Sequence, residues 1–339
     1  MKKKKANEHT ILGVDSLEIQ IASEQRTKII EETEIYSKTT GEKIFTIKSQ
    51  SKTGFRLSIC LPKMVRANNL VPFGIMDEVC LLDLVNEISD ILTNTFDVNL
   101  KMARVSTVEV NATATLHHKE NINCIMNLLT LMFLQNGTKI FITAHGKDDE
   151  RYNNVPLSQD VLRKVLQVES LKTPRLGNHR FAWKIYDKGL EQGMQDKGIL
   201  RLEQIHSKKS LEYAKIDNRL DMFLTPENIR KLIRLYRNDF EQYFINLFWQ
   251  DKSGNSFINK CVNTILMELE EETPLSTAKI HRELLSIDYG LFEQACYRFY
   301  QNRKTATQAI RRVRESGKIE IHKGAISELV QIFRAILRE

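Results

Sequence analysis

The chain has 339 residues, enough for about two domains at ~100–200 residues each, and its 42% apolar and 27% charged residues suit a buried core. Lys and Arg number 50 against 43 Asp and Glu, a net charge of +7 that favours a polyanionic partner. No stretch approaches the ~18 consecutive apolar residues of a membrane span, the basic opening at residues 2–5 leads into polar Asn7, Glu8 and His9, and five cysteines lack CxxC spacing; membrane, secreted, disulfide-framework and zinc-ribbon classes fall away, leaving a reducing cytoplasm.

Residues 1–10 read as a disordered basic tail. From 42 to 61 the pattern alternates, with Ile44, Thr46 and Lys48 followed by the apolar face Phe55, Leu57, Ile59 and Leu61; the polar stretch ending at Gly54 makes this a hairpin-like pair. Residues 77–92 (DEVCLLDLVNEISDIL) set Val79, Leu82, Val85, Ile88 and Leu92 at helical spacing behind two acids, which predicts an amphipathic helix. A strand over 104–115 and a largely buried helix over 120–134 follow. After the polar stretch 146–154, the pattern predicts a short helix over 159–168 and strands over 179–187 and 199–205. Thr225, Pro226 and Glu227 form an N-cap, a first-turn proline and an acid ahead of a helix to about residue 248. Everything beyond is mainly helical, with 251–255 (DKSGN) as a hinge.

Residues 305–316 (TATQAIRRVRES) read as a helix stopped by Gly317, with Ala309, Ile310 and Val313 inward and Gln308, Arg311, Arg312 and Arg314 spread outward, then a short strand over 318–322. Preceded by 291–300 (LFEQACYRFY), it resembles a winged helix-turn-helix whose second helix suits a major groove, although ordinary helical hairpins read the same way. The fold class is α+β: a central, largely antiparallel sheet with packed helices, followed by a mainly helical C-terminal domain. The divisions are the tail 1–10, an α+β domain over 11–220 and a helical domain over 221–339 with a DNA-binding element at 285–323.

Chemistry emerges when each central strand is split into its two faces. In 179–188 (HRFAWKIYDK), Phe181, Trp183 and Ile185 point one way, and Lys184, Tyr186 and Lys188 point the other. In 107–115 (TVEVNATAT), Val108, Val110, Ala112 and Ala114 oppose Thr107, Glu109, Asn111 and Thr113; in 199–205 (ILRLEQI), Leu200 and Leu202 oppose Arg201 and Glu203. If these strands share a sheet, Glu109 and Glu203 can hold a hard divalent cation with Tyr186 nearby as a nucleophile. Lysines on either side suit a phosphate and favour the phenolate. Glu191 is then a further ligand or the base that receives the phenol proton. A half-solvated antiparallel sheet without a site shows the same alternation, so the pattern alone leaves both readings open.

Residues 161–215 hold twelve Lys or Arg against six acids, including Lys172, Arg175, Arg180, Lys208 and Lys209, which is either a phosphate-tracking surface or a solvated basic face. His117 and His118 are adjacent and so point to opposite faces, which does not make a His-hydrophobic-His metal strand. His179 and His206 flank the candidate strands as surface histidines within reach of phosphate.

At these residues the sequence resembles the replication initiators of filamentous phages (the gene II and X family) and, more distantly, the trans-acting plasmid initiators called Rep_trans, which are rolling-circle nickases. VSTVEVNATAT (105–115), FAWKIYDKGLEQ (181–192) and ILRLEQIHSKKSL (199–211) carry the resemblance in order, with LSICLPKMVRANNLVPFG (57–74) upstream. The resemblance implies Tyr186 as nucleophile in a Y-x-K-x-x-E pattern with Lys188 and Glu191. It implies Mg²⁺ or Mn²⁺ on Glu109 and Glu203, with Glu191 left as either a further ligand or the base. Lys184, Arg201, Arg180, Lys208, Lys209, Arg311, Arg312 and Arg314 are then DNA contacts. Where the family more often has Asp this chain has Glu109, and Asn111 stands where some relatives carry a second acid. The implied activity is a strand transfer that leaves a 5′-phosphotyrosyl link and a free 3′-hydroxyl in the cytoplasm of a bacterial host, with later rejoining. Origin DNA, a host helicase and polymerase are the implied partners, and a homodimer the implied assembly. The alternative is a DNA-binding initiator or regulator of the same fold that does not cut.

Overall fold

A computed structural model describes residues 10–22, 35–51, 54–135, 137–146, 150–158, 161, 164–194, 196–246, 259, 262, 286–316, 320–322 and 324–338. Most of the expected tail 1–10 and all of the expected hinge 251–255 lie outside these residues; Thr10 opens the first strand.

One ten-stranded sheet organises the chain, in the order β2-β3-β4-β1-β5-β10-β9-β8-β6-β7. The strands are β1 (Thr10–Ala22), β2 (Ile35–Tyr36), β3 (Lys43–Ser51), β4 (Gly54–Cys60), β5 (Ala103–Thr115), β6 (Phe141–Gly146), β7 (Arg151–Pro156), β8 (Val165–Lys172), β9 (Phe181–Asp187) and β10 (Ile199–Ser207). Every pairing in it is antiparallel. The α+β expectation holds, as does the hairpin over 42–61, which is β3 and β4.

Alternation sends Val108, Val110, Ala112, Leu200, Leu202, Phe181, Trp183 and Ile185 to one face, where all are buried. Helices Asn121–Gln135, Pro226–Phe240 and Ala325–Leu337 cover that face. Trp183 meets Tyr236 at 5.1 Å and Phe244 at 4.8 Å, Phe244 meets Phe133 at 5.4 Å, and Phe240 meets Phe333 at 5.1 Å, all edge-on. The Tyr236 hydroxyl donates to the Leu202 carbonyl at 2.9 Å, so this ring brings no unsatisfied polar atom inside. Thr225 caps the Pro226 helix by accepting from the Asn228 N–H, as the sequence signal requires. In Ala325–Leu337, Glu328 accepts from the backbone N–H of His117 and, at 2.8 Å, from the Asn121 amide, fastening the turn that follows β5. Among the described residues, no helix is long and apolar enough to cross a membrane.

Two local expectations are corrected. The helix expected over 159–168 is shorter: residues 161 and 164 are helical, but 165–168 belong to β8, in which Glu169 is an extra residue between Ser170, paired with Thr143, and Val168, paired with Ala144. That bulge spaces buried Val165, Val168 and Leu171 by threes and imitates a helical period. The helix over 77–92 is a 3₁₀ turn at Ile75–Cys80 followed by Leu81–Phe96, whose buried side is Leu81, Leu84, Ile88, Ile91, Leu92 and Phe96; Val79 and Leu82 point to solvent. The short strand expected over 318–322 is present as Glu320–His322; it pairs in parallel with Ser286–Asp288, and helices Tyr289–Tyr300 and Arg303–Ser316 lie between the two in sequence.

His206 is not a surface residue. It points to the helix-covered face beside Phe181, and neither ring nitrogen has a hydrogen-bond partner among the described residues. Burial, with Arg180 and Arg175 adding to it, pushes its pKa down to about 3. The unfolded chain therefore binds the extra proton below pH ~6.5, and stability from this group falls as pH drops from 6.5 toward 3. Asp15 and Asp239, both raised to about 6, act in the opposite direction over part of this window, so the effect is read as a difference. Relative to wild type, His206→Phe is expected to gain about 2 kcal/mol between pH 7 and pH 5 in urea unfolding. A constant difference across that range would show that the imidazole is not held neutral.

Candidate active site

The open face of the sheet carries the polar residues singled out in the sequence, and the register places them side by side. Tyr186 on β9 lies opposite Arg201 on β10, which lies opposite Thr113 on β5. One row along, Lys184 lies opposite Glu203, which lies opposite Asn111. The Tyr186 hydroxyl donates to Glu203 Oε1 at 2.5 Å, and Lys184 Nζ stands 3.6 Å from Glu203 Oε2. Glu109 accepts from the Ser16 hydroxyl at 2.6 Å.

A third carboxylate, Asp15, completes the group: Asp15, Glu109 and Glu203 each offer an oxygen within 4.8 Å of the other two. Sequence reasoning missed it. Asp15 is the extra residue of a β-bulge, since Val14 pairs with Val110 and Ser16 with Glu109. The bulge turns the side chain toward the acids of β5 and β10, a recurrent use of bulges near functional sites. The available signal is a slip in the alternation: Val14 is followed by Leu17, Ile19 and Ile21, so the apolar spacing jumps from two to three across Asp15.

Arg201 ties the cluster together. It is fully buried, with Nη1 3.3 Å from Asp15 and 4.0 Å from Glu203, Nε donating to the Thr113 hydroxyl at 3.0 Å, and Nη2 donating to the carbonyls of Leu70 at 3.1 Å and of Asn69. Thr113 in turn donates to Asn111 Oδ1 at 3.1 Å. The 66–74 segment reaches this point because β4 ends where Cys60 pairs with Ser16, and Phe73 takes over beside Val14 with both backbone bonds at 2.8 Å. Gly13 allows that approach: a Cβ there would lie 2.4 Å from the Phe73 carbonyl oxygen.

Other expected site residues are placed differently. Glu191 stands outside the carboxylate cluster and is ion-paired to the buried Lys188. Arg180 folds inward, with its guanidinium 4.1 Å from the centre of the Tyr213 ring and 3.6 Å from Asp239. Lys208 pairs with Glu212 at 3.6 Å, Lys209 is exposed, and both lie beyond the end of β10. On Arg303–Ser316, Arg311 and Arg312 face solvent, Arg311 pairing with Glu315 at 2.7 Å; the Arg314 side chain lies outside the described residues.

No family model matches the chain, and no curated protein sequence does. Among solved structures, a rolling circle replication initiator protein from Geobacillus stearothermophilus aligns with 69% of this chain and 85% of its own, at 11% identity and a TM-score of 0.32. A likeness of that size carries no argument about chemistry, which rests on the side chains themselves.

Burial is the largest influence on each acid here. It pushes Asp15 up to about 6 against the pull of Arg201, and it raises Glu109 and Glu203 above the usual carboxylate range. Two buried carboxylates and the half-buried Glu109, with buried Arg201 and the partly exposed Lys184 as the cations beside them, are thus short of positive charge. Their all-oxygen donors, with no Cys or His among them, fit a hard divalent cation such as Mg²⁺ or Mn²⁺. Tyr186 corrects an expectation: burial and the Glu203 charge push its pKa well above the ordinary phenol value, so the flanking cations do not favour phenolate. Lys184 sits over the ring face, 4.2 Å from its centre, and Lys188 at 5.7 Å. Beside the ring a cavity of about 330 Å³ opens between Arg151, Ser170, Lys184 and Glu191.

Mn²⁺ at 100 times its Kd is expected to add ~2.7 kcal/mol of stability through mass action. Asp15→Asn and Glu203→Gln are expected to lose most of this gain in thermal melts. An equal metal-induced shift in all three proteins would place the ion elsewhere.

Proposed function

We propose that this chain initiates rolling-circle replication by nicking one DNA strand at an origin, with Tyr186 as the nucleophile. The hydrogen bond from Tyr186 to Glu203, at the edge of a three-carboxylate cluster, is the observation that carries the reading. The motif resemblance to phage and plasmid initiators, carried by the same residues, points the same way.

Asp15, Glu109 and Glu203 would hold the cation, which when bound supplies charge neutralisation to the phosphoryl oxygens. The neutral Tyr186 hydroxyl is already aimed at a base: as its oxygen bonds to phosphorus, the proton passes to Glu203. The bond from phosphorus to the 3′ oxygen breaks, and that oxygen gains a proton to become a free 3′-hydroxyl. The 5′-phosphotyrosyl link retains the bond energy used in rejoining. In this scheme Glu203 takes the role of base, and Glu191, which lines the cavity, holds the buried Lys188 as an ion pair. Arg201 acts through Asp15 and Glu203 by fixing their positions, while Lys184 is the cation open to a neighbouring phosphate.

Arg311, Arg312 and Arg314 on the Arg303–Ser316 helix, together with Lys208 and Lys209, are the remaining candidate duplex contacts. A polymerase would extend the new 3′ end, a host helicase would open the duplex, and the setting would be the cytoplasm of a bacterial host, with a homodimer as the assembly. Incubation with Mn²⁺ and supercoiled DNA of the replicon that encodes the protein is expected to yield relaxed circles with protein attached to a 5′ end. Tight origin binding without relaxation would overturn the nicking reading in favour of a regulator that does not cut.

A further inference from the structure

Glu203, Lys184, Lys172 and Phe141 form one line across the sheet, each directly opposite the next on β10, β9, β8 and β6. Directly paired residues project from the same face. At ~4.8 Å per strand, Phe141 lies roughly 14 Å from the strand of Glu203. Past Lys172 a groove of about 260 Å³ opens on this face, with Phe141, Asn154, Lys172 and Arg175 as its walls and Ala182 and Ile205 as its small apolar floor.

The charges around this groove are of one sign. No carboxylate lines it. Lys172 and Arg175 are exposed and have no ion pair among the described residues; Arg175 is oriented by its bond to the Ile205 carbonyl at 3.3 Å. Lys139 adds a further cation 5.4 Å from the Phe141 ring centre. The acids of the open face gather at Tyr186 or on its far side, with Asp187, Glu169 and Glu191 around the other cavity. A line of cations leading to an aromatic ring is the usual arrangement for an unpaired strand, whose phosphates follow the charge and whose bases stack. An aromatic wall is of little use to a base still in its pair.

We infer that this groove holds the unpaired DNA strand as it leaves the scissile phosphate, with Lys184, Lys172 and Arg175 contacting successive phosphates and Phe141 stacking a base. The inference rests on the nicking reading and adds to it the direction the strand takes: across β9 and β8 toward β6, away from the Asp15 side of the sheet.

The test uses Tyr186→Phe protein, so that only non-covalent binding is read, and a fluorescein-labelled single strand of roughly 12 nucleotides. Each phosphate contact on a single strand contributes about 0.7 to the slope of log K against log salt. Adding Lys172→Ala and Arg175→Ala is expected to lower that slope by about 1.4 and weaken binding at least ~10-fold at low salt. Both residues are exposed, so their truncation leaves the core untouched. Phe141→Leu is expected to weaken binding roughly 5- to 150-fold with the slope unchanged. Unchanged affinity and slope in both variants would overturn the groove, and the nicking reading would survive that result if the wild type still relaxes supercoiled DNA. No salt-dependent binding, with no relaxation by the wild type, would overturn both.

Discussion

Tyr186→Phe is expected to bind origin DNA as the wild type does and to nick it at least ~10⁴-fold more slowly, the scale of loss when a covalent nucleophile is removed. The substitution deletes one oxygen. The ring keeps its place over Lys184, and the basic residues along the sheet are untouched. Glu203 loses its only hydroxyl donor among the described residues; the Ser16 hydroxyl already donates to Glu109 and the Thr113 hydroxyl to Asn111. Any strand break that persists would come from water and would leave no protein on the DNA. Denaturing gels of labelled origin DNA separate these outcomes: wild type gives a shifted protein–DNA band, the variant none. Wild-type rates and a shifted band from Tyr186→Phe would move the nucleophile elsewhere.

Arg201→Leu is expected to destabilise the protein by about 3–5 kcal/mol, the range for breaking a buried ion pair from one side. The change removes the counter-charge of Asp15 and Glu203, leaves the Thr113 hydroxyl without its donor, and frees the carbonyls of Asn69 and Leu70 that the guanidinium gathers. Urea unfolding would read this directly. Asp15→Asn in the same chain should recover part of the loss, because one of the stranded charges is gone; a coupling of ~0.5–3 kcal/mol in the double-mutant cycle would mark the pair as interacting. Strict additivity would mean that Arg201 acts through packing alone. Lysine is not an adequate replacement, since a single ammonium cannot serve Asp15, Thr113 and two carbonyls at once.

Much of the open face was legible because β5, β9 and β10 are regular over the stretch that matters. Period-two alternation put Glu109, Lys184, Tyr186, Arg201 and Glu203 on one side, and the pairing brings them together. The same rule fails where a strand carries an extra residue. At Asp15 the slip hid a carboxylate, and at Glu169 it made a strand look helical. Electrostatics was less legible than position. From the sequence, two lysines beside a tyrosine favour phenolate; in the fold, burial and Glu203 outweigh them. Likewise, nothing in the spacing of Arg180 or Arg201 says that their charges turn inward, which depends on partners such as Asp239 and Asp15 that lie far off in sequence.

The grip of Glu328 on the turn at His117 and Asn121 spans 207 residues. A ribosome adding ~5–20 residues per second needs about 10–40 s to travel between those points. Through that interval the nascent chain has made β5 and the Asn121–Gln135 helix but not the helix that fastens the turn between them, nor Phe333, which closes over Phe240. Synthesis therefore passes through a stage with apolar surface on display, when chaperone contact matters most, and a chain cut short before this helix would lack one of the three helices that cover the far side of the sheet from Tyr186.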